Sequence, residues 1–283
     1  MSETTSQSLR NQQKAWASSH NIPFDPDGYC LELNDNLFFP LSRCSRRDFE
    51  SGDGSELDRG GGRSKLQALH SSSALVCNFF DYWRGRDLCF VGRALGLGTP
   101  PCGMLFEHKY PTGLRGTSAN LDVVFTLWDG EVFAIESKFT EPYSRSLKKG
   151  HLKDAYFPVG TGLWTDNGLP GCQRLAENLR KGSLDFQLLD VAQLLKHMLG
   201  LAKNEKSWRL LYLWYNTADE VAKAHEEEIV AFVESIGADE RRFSEMSYQE
   251  LFSLLAPELT GEHDAYRKYL AERYFSQALS KMK

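Results

Sequence analysis

The sequence predicts an α/β fold, a small central sheet with helices on both faces, and three observations carry that prediction. Short apolar runs of strand composition stand at 104–107, 121–128, 131–139 and 209–215, and an Asp-Gly turn signal separates the second from the third. Helical periodicity occupies 65–82 ahead of them and 185–202 between the third and the fourth. The order is helix, three strands, helix, strand, then a helical C-terminus, the alternation of a layered α/β domain. At 283 residues the chain is long enough for one large core.

Taken in order, residues 1–14 are polar and expected to fray. Residues 24–50 carry scattered aromatics (Phe24, Tyr29, Phe38, Phe39) that are expected to pack onto a core rather than form one. Residues 51–64, rich in Gly, Ser and charge, read as a surface loop. In 65–82 apolar side chains fall at 66, 69, 75, 76, 79 and 80, which is helical spacing. LCFV at 88–91 and MLFE at 104–107 read as strands, and LDVVFTLW and EVFAIESKF flank Asp129-Gly130 as a hairpin. Glycine-rich 144–171 reads as an irregular insertion before helices at 173–181 and 185–202. RLLYLWY at 209–215 is a continuous apolar strand of the kind covered on both faces. A helix over 218–236 ends at Gly237, Ser247 and Glu250 make a capping box for a short helix stopped by Pro257, and 262–280 is amphipathic. These divisions give an N-terminal arm (1–64), a core (65–216) and a C-terminal helical extension (217–283).

No window is apolar enough to span a membrane and no signal-peptide stretch opens the chain, so a cytoplasmic protein is expected. Six cysteines without a CxxC or a tight Cys/His cluster argue against zinc and disulfides and read as buried free thiols. The 33 basic and 38 acidic residues leave a net charge of −5, which excludes coating nucleic acid by bulk charge but not a local basic groove.

The chemistry concentrates in 120–138. If the turn is a three-residue loop, Trp128-Asp129-Gly130, with Gly130 left-handed, Leu127 pairs with Glu131 and Asp122 falls directly opposite Glu136. Lys138, two residues on, shares their face by strand alternation. A two-residue loop would put the two acids on opposite faces, so the turn decides the site. Two carboxylates this close repel unless a cation sits between them, and Mg²⁺ suits oxygen donors. The lysine then either assists a water or neutralises charge developing on phosphorus. Chance alone supplies about two acid-x-Lys tripeptides at this composition. There are two, Glu107-His108-Lys109 and Glu136-Ser137-Lys138, and only the second follows a hairpin with an acid in register.

Asp122 followed by Glu136-Ser137-Lys138 at the end of an apolar strand resembles the PD-(D/E)XK, or restriction-endonuclease-like, nuclease superfamily, and NLDVVF…FAIESKFTEPY with the helix and LLYLWY strand beyond it looks like a bacterial branch of it. The resemblance covers roughly 65–216. It implies a central mixed sheet flanked by helices, with Asp122 and Glu136 as metal ligands, the Ser137 carbonyl completing the shell, and Lys138 assisting the attacking water. It further implies Mg²⁺ (or Mn²⁺) as cofactor and DNA as partner. Leu121 replaces the family's usual proline, and no QxxxY motif follows, since Gln193 is followed by His197; an endonuclease is therefore expected over an exonuclease. Glu107 is a candidate further ligand or a surface carboxylate paired with Lys109. Lys148, Lys149, His151 and Lys153 in the insertion, with Gln193 and His197 on the helix, are candidate nucleic-acid contacts or solvated polar groups. Symmetric cutting of a duplex would call for a homodimer. The competing reading is an inactive nuclease-fold protein that binds nucleic acid or scaffolds a complex.

Overall fold

The computed structural model describes residues 3–52, 56–57, 62–114, 118–144 and 152–275. Along the chain come helices α1 (Thr5–Ser19), α2 (Arg43–Ser51), α3 (Ser72–Phe80) and α4 (Cys89–Ala94), then strands β1 (Pro101–Pro111), β2 (Ser118–Leu127) and β3 (Val132–Lys138). Next are α5 (Pro170–Arg180), α6 (Val191–Asn204), β4 (Trp208–Trp214) and α7 (Glu220–Ile236), and last β5 (Phe243–Ser247), α8 (Tyr248–Leu255) and α9 (Asp264–Tyr274). The five strands form one sheet in the order β1-β2-β3-β4-β5, antiparallel through β3 and parallel from β3 to β5.

The β2–β3 turn sets everything downstream. Leu127 N–H donates to the Glu131 carbonyl and Gly130 N–H to the Leu127 carbonyl, both at 2.9 Å, and Gly130 has φ +85. Asp129 secures it, accepting from Thr99 Oγ1 at 2.6 Å and from Glu131 N–H at 3.0 Å. The three-residue loop yields Val123↔Ile135, Val124↔Ala134 and Phe125↔Phe133, the register that places Asp122 across from Glu136.

Alternation along β3 then sorts the helices. Glu136 and Lys138 face α6, while Ser137, between them, turns its hydroxyl to Tyr248 of α8 at 2.7 Å. Tyr212 of β4, in register with Glu136, meets His225 of α7 at 3.0 Å, so α6 and α7 share one face. Helices α3 and α8 cover the other, where Phe79 packs on Tyr248 and Phe80 on Phe125. One apolar core runs from Leu9 to Phe275 and takes in Phe49 and Leu251, so the N-terminal arm and the C-terminal stretch both contribute to it.

Several expectations need correction. Residues 5–19 do not fray: the stripe Leu9, Gln13, Trp16, Ala17 is a buried helical face in a polar composition. LCFV is not a strand but lies mostly in α4, because four apolar residues cannot separate the two periods. Helix α6 begins at Val191, capped by Asp190, rather than at 185. The C-terminal stretch adds β5 to its helices; only Phe243 of this strand is buried, and it shows no apolar run. The cysteines are not all buried, since Cys44 and Cys102 are exposed.

The segment before α6 is held by one carboxylate. Glu228 of α7 accepts from the N–H groups of Gln187, Leu188 and Leu189 at 2.8, 2.9 and 2.8 Å. Charge-assisted bonds to three amides fix where α6 starts. Glu228→Ala is expected to cost about 1–3 kcal/mol, read as a lower urea midpoint; an unchanged midpoint would refute the role.

Candidate active site

Three acids lie in a row across the first three strands. Phe106↔Val123 and His108↔Leu121 bracket Glu107 opposite Asp122, and the β2–β3 register sets Asp122 opposite Glu136. Neither central pair joins its ladder. Glu107 has a left-handed backbone, φ +49, a conformation non-glycine residues seldom adopt. Asp122 reaches over with its side chain, Oδ2 accepting from Ser137 N–H at 2.6 Å. The strands thus part where the carboxylates gather.

Lys138 and α6 complete the cluster. Lys138 Nζ lies 2.5 Å from Glu136 Oε1 and donates to Gln193 Oε1 at 2.8 Å. His197, one turn after Gln193 and fully buried, brings Nε2 to 2.9 Å from Glu136 Oε2. That approach is not aligned as a hydrogen bond, so Glu136 Oε2 and both imidazole nitrogens are buried without one. Asn120 Nδ2 donates to Glu107 Oε2. Glu107 also sits against the end of α2, where a Cβ added to Gly52 would lie 3.1 Å from its own.

The electrostatics follow from this crowding. Burial would raise the Glu136 carboxyl, but Lys138 and His197 outweigh it and hold it down to about 2. Asp122 is pushed well above the usual carboxylate range by burial and then by the charges of Glu136 and Glu107. Glu107 is pushed up to about 7 by burial, Glu56 and Glu136. Burial works against the Lys138 ammonium, yet Glu136, Glu141 and Asp122 raise it above its ordinary value. Burial lowers the His197 imidazole.

Of the residues singled out from sequence, Asp122, Glu136, Ser137, Lys138 and Glu107 are thus brought together, and Gln193 joins them through Lys138. Glu107 is buried rather than a surface carboxylate. His197 offers no surface to a phosphate; it lies against Glu136 instead. Lys153 is exposed ahead of a short turn at 154–156, while Lys148, Lys149 and His151 lie outside the described residues. Sequence reasoning missed Asn120, which its place two residues before Asp122 could have signalled, and Glu56, whose charge reaches Glu107 from a loop with no pattern of its own.

Among the described residues, no three His, Cys, Asp or Glu side chains are gathered into a ready three-ligand metal site. The donor set nevertheless suits a hard divalent cation, since carboxylates of three adjacent strands, Glu107, Asp122 and Glu136, lie in register. Asp122 and Glu136 are the residues that could hold it, with Glu107 beside them.

This sheet and its covering helices have the restriction-endonuclease-like architecture. The chain belongs to the family described as restriction endonuclease associating with ARP, whose model matches residues 10–275. The match takes in most of α1 and all of α9, well beyond 65–216. No curated protein and no solved structure matches the chain. Among the described residues, no helix is long and apolar enough to cross a membrane.

Proposed function

We propose that the protein is a metal-dependent nuclease that hydrolyses DNA phosphodiester bonds as an endonuclease. The observation that supports this most is the hairpin register, which sets Asp122 across from Glu136 with Lys138 on Glu136. Family membership supports the nuclease class.

In this reading Asp122 and Glu136 hold Mg²⁺, for which Mn²⁺ can substitute, and Glu107 and the Ser137 carbonyl are the groups placed to add to its shell. A divalent cation so bound supplies an acidified water and a counter-charge for phosphorus. The protein's own groups do the positioning. Asp122 keeps Oδ2 on the Ser137 amide and so keeps β2 and β3 together where the ladder ends. Lys138, held as a cation by Glu136, is a donor and not a base; its Nζ–H groups orient the attacking water and neutralise a non-bridging phosphate oxygen. Gln193 Oε1 keeps that ammonium in place from α6. His197 walls the far side of Glu136 and excludes water there.

The test is incubation of the purified chain with supercoiled plasmid, linear duplex and single-stranded DNA in Mg²⁺, Mn²⁺ or EDTA. Nicking or linearisation of the plasmid in either metal and none in EDTA is the expected result. DNA binding without cleavage in any metal would support the inactive nuclease-fold alternative and sink the enzyme.

A further inference from the structure

Helix α2 carries a cationic face that the site does not use. Its inner side, Ser45, Asp48 and Phe49, is buried. Asp48 Oδ2 accepts from Phe106 N–H of β1 at 3.3 Å and from Arg84 at 2.6 Å, and Phe49 stacks on Phe106 at 5.3 Å. Opposite, Arg43, Arg46 and Arg47 are exposed, and their spacing of three and four residues aligns them in one stripe.

Two features set this stripe apart from a merely solvated surface. Arg84, Arg93 and Arg209 each sit on a carboxylate at 2.6–2.8 Å, whereas the guanidinium groups of the three α2 arginines form no ion pair or hydrogen bond among the described residues. In a chain of net charge −5, three guanidinium groups within two turns repel one another, and Glu50, exposed on the same helix, offsets only part of that charge. The stripe also has a direction. Helix α2 ends at Gly52, which is packed against Glu107 of the carboxylate row. At about 1.5 Å per residue, Arg47 and Arg43 stand about 8 and about 14 Å along the axis from that contact. A strand with a phosphate at the carboxylate row would carry its next few phosphates past these side chains.

We propose that the Arg43–Arg46–Arg47 face of α2 docks the sugar–phosphate backbone of DNA and leads it to the carboxylate row. Charge complementarity selects the occupant: guanidinium groups pair with phosphate oxygens at bidentate geometry and read no sequence. The choice of DNA rests on the nuclease reading; the presence of a cationic surface does not.

The experiment is fluorescence anisotropy of a labelled mixed-sequence duplex, in EDTA so that no cleavage intervenes, across a salt titration. The unmutated chain is compared with a variant carrying Arg43→Gln, Arg46→Gln and Arg47→Gln, and with Lys203→Gln/Lys206→Gln as a control of charge lost elsewhere. Each phosphate contact contributes about 0.9 to the slope of log affinity against log salt. The triple variant is therefore expected to bind at least roughly tenfold more weakly at low salt and to flatten that slope by about 2–3, with its melting temperature unchanged. Equal affinity and slope in the triple variant would overturn the inference, as would a loss matched by the control. So would anionic phospholipid vesicles that retain the wild type and release the triple variant while duplex affinity stays constant. The two readings fail separately. Metal-dependent cleavage with arginine-independent binding removes only the docking face, and arginine-dependent binding with no cleavage in any metal removes only the nuclease.

Discussion

Asp122→Asn is expected to abolish Mg²⁺-dependent cleavage while raising the melting temperature of the metal-free protein. The substitution keeps an oxygen to accept the Ser137 amide, so the end of the hairpin is preserved. It removes the negative charge needed to hold a cation beside Glu136, and cleavage should fall by on the order of 10²–10³ or more. Stability moves the other way. In the folded chain burial, Glu136 and Glu107 push the Asp122 carboxyl well above the usual range, whereas in the unfolded chain it ionises near pH 4. A raised folded-state pKa gives stability that is fully present below the unfolded value and is lost as pH rises toward the folded one. Asparagine has no such loss. The gain should therefore vanish near pH 4 and grow toward pH 8, each kcal/mol appearing as roughly 2–4 °C. Thermal melts in EDTA over that range, paired with the plasmid assay, test both halves. A variant that cleaves within about threefold of wild type, or one that melts lower at pH 8, contradicts the site.

The second large effect lies in α9. Arg273 of α9 is completely buried. Its guanidinium donates to the Asn36 carbonyl at 2.8 Å, Tyr269 Oη at 2.6 Å and Gln13 Oε1 at 3.1 Å, and also to Asn36 Oδ1 and the Leu69 carbonyl. It stacks over Trp16 at 4.4 Å. One side chain thus ties α1, the short 3-10 helix ending at Asn36, the turn at 69 and α9. Arg273→Met matches its length but strands these acceptors in the core, at an expected cost of about 3–5 kcal/mol. Arg273→Lys should recover little, because an ammonium cannot reproduce the planar fork. Urea denaturation measures both; a loss under about 1 kcal/mol for the methionine variant would mean that the acceptors find other partners.

These two residues differ in how far the sequence reveals them. The opposition of Asp122 and Glu136 is legible in the chain as one of two registers, and the three-residue loop with its left-handed Gly130 selects it; a one-residue slip would have reversed every face. Helices α7 and α8 are similarly legible, since Asp219, Gly237 and Ser247 are local caps. Glu107 is only half legible. Six residues separate β1 from β2, so no short-loop rule in the sequence says which residue of one strand meets Asp122 of the other. The partner of His197 was misread for the same reason: helical spacing puts it one turn from Gln193 but cannot say that the turn faces Glu136.

What the sequence by itself determined is local: the helix–strand order of the core, the hairpin, and two possible registers, one of which pairs the carboxylates and brings in the lysine. Only the tertiary structure decided that Glu107 completes the row, that α6 supplies Gln193 and His197, that β5 extends the sheet, and that Arg273 locks α1 to α9. The physical reason is the range of the interactions. Turn geometry and alternation act over a few residues and are written in them, whereas the pairing of buried charges depends on which surfaces exclude water together, a property of the packed molecule.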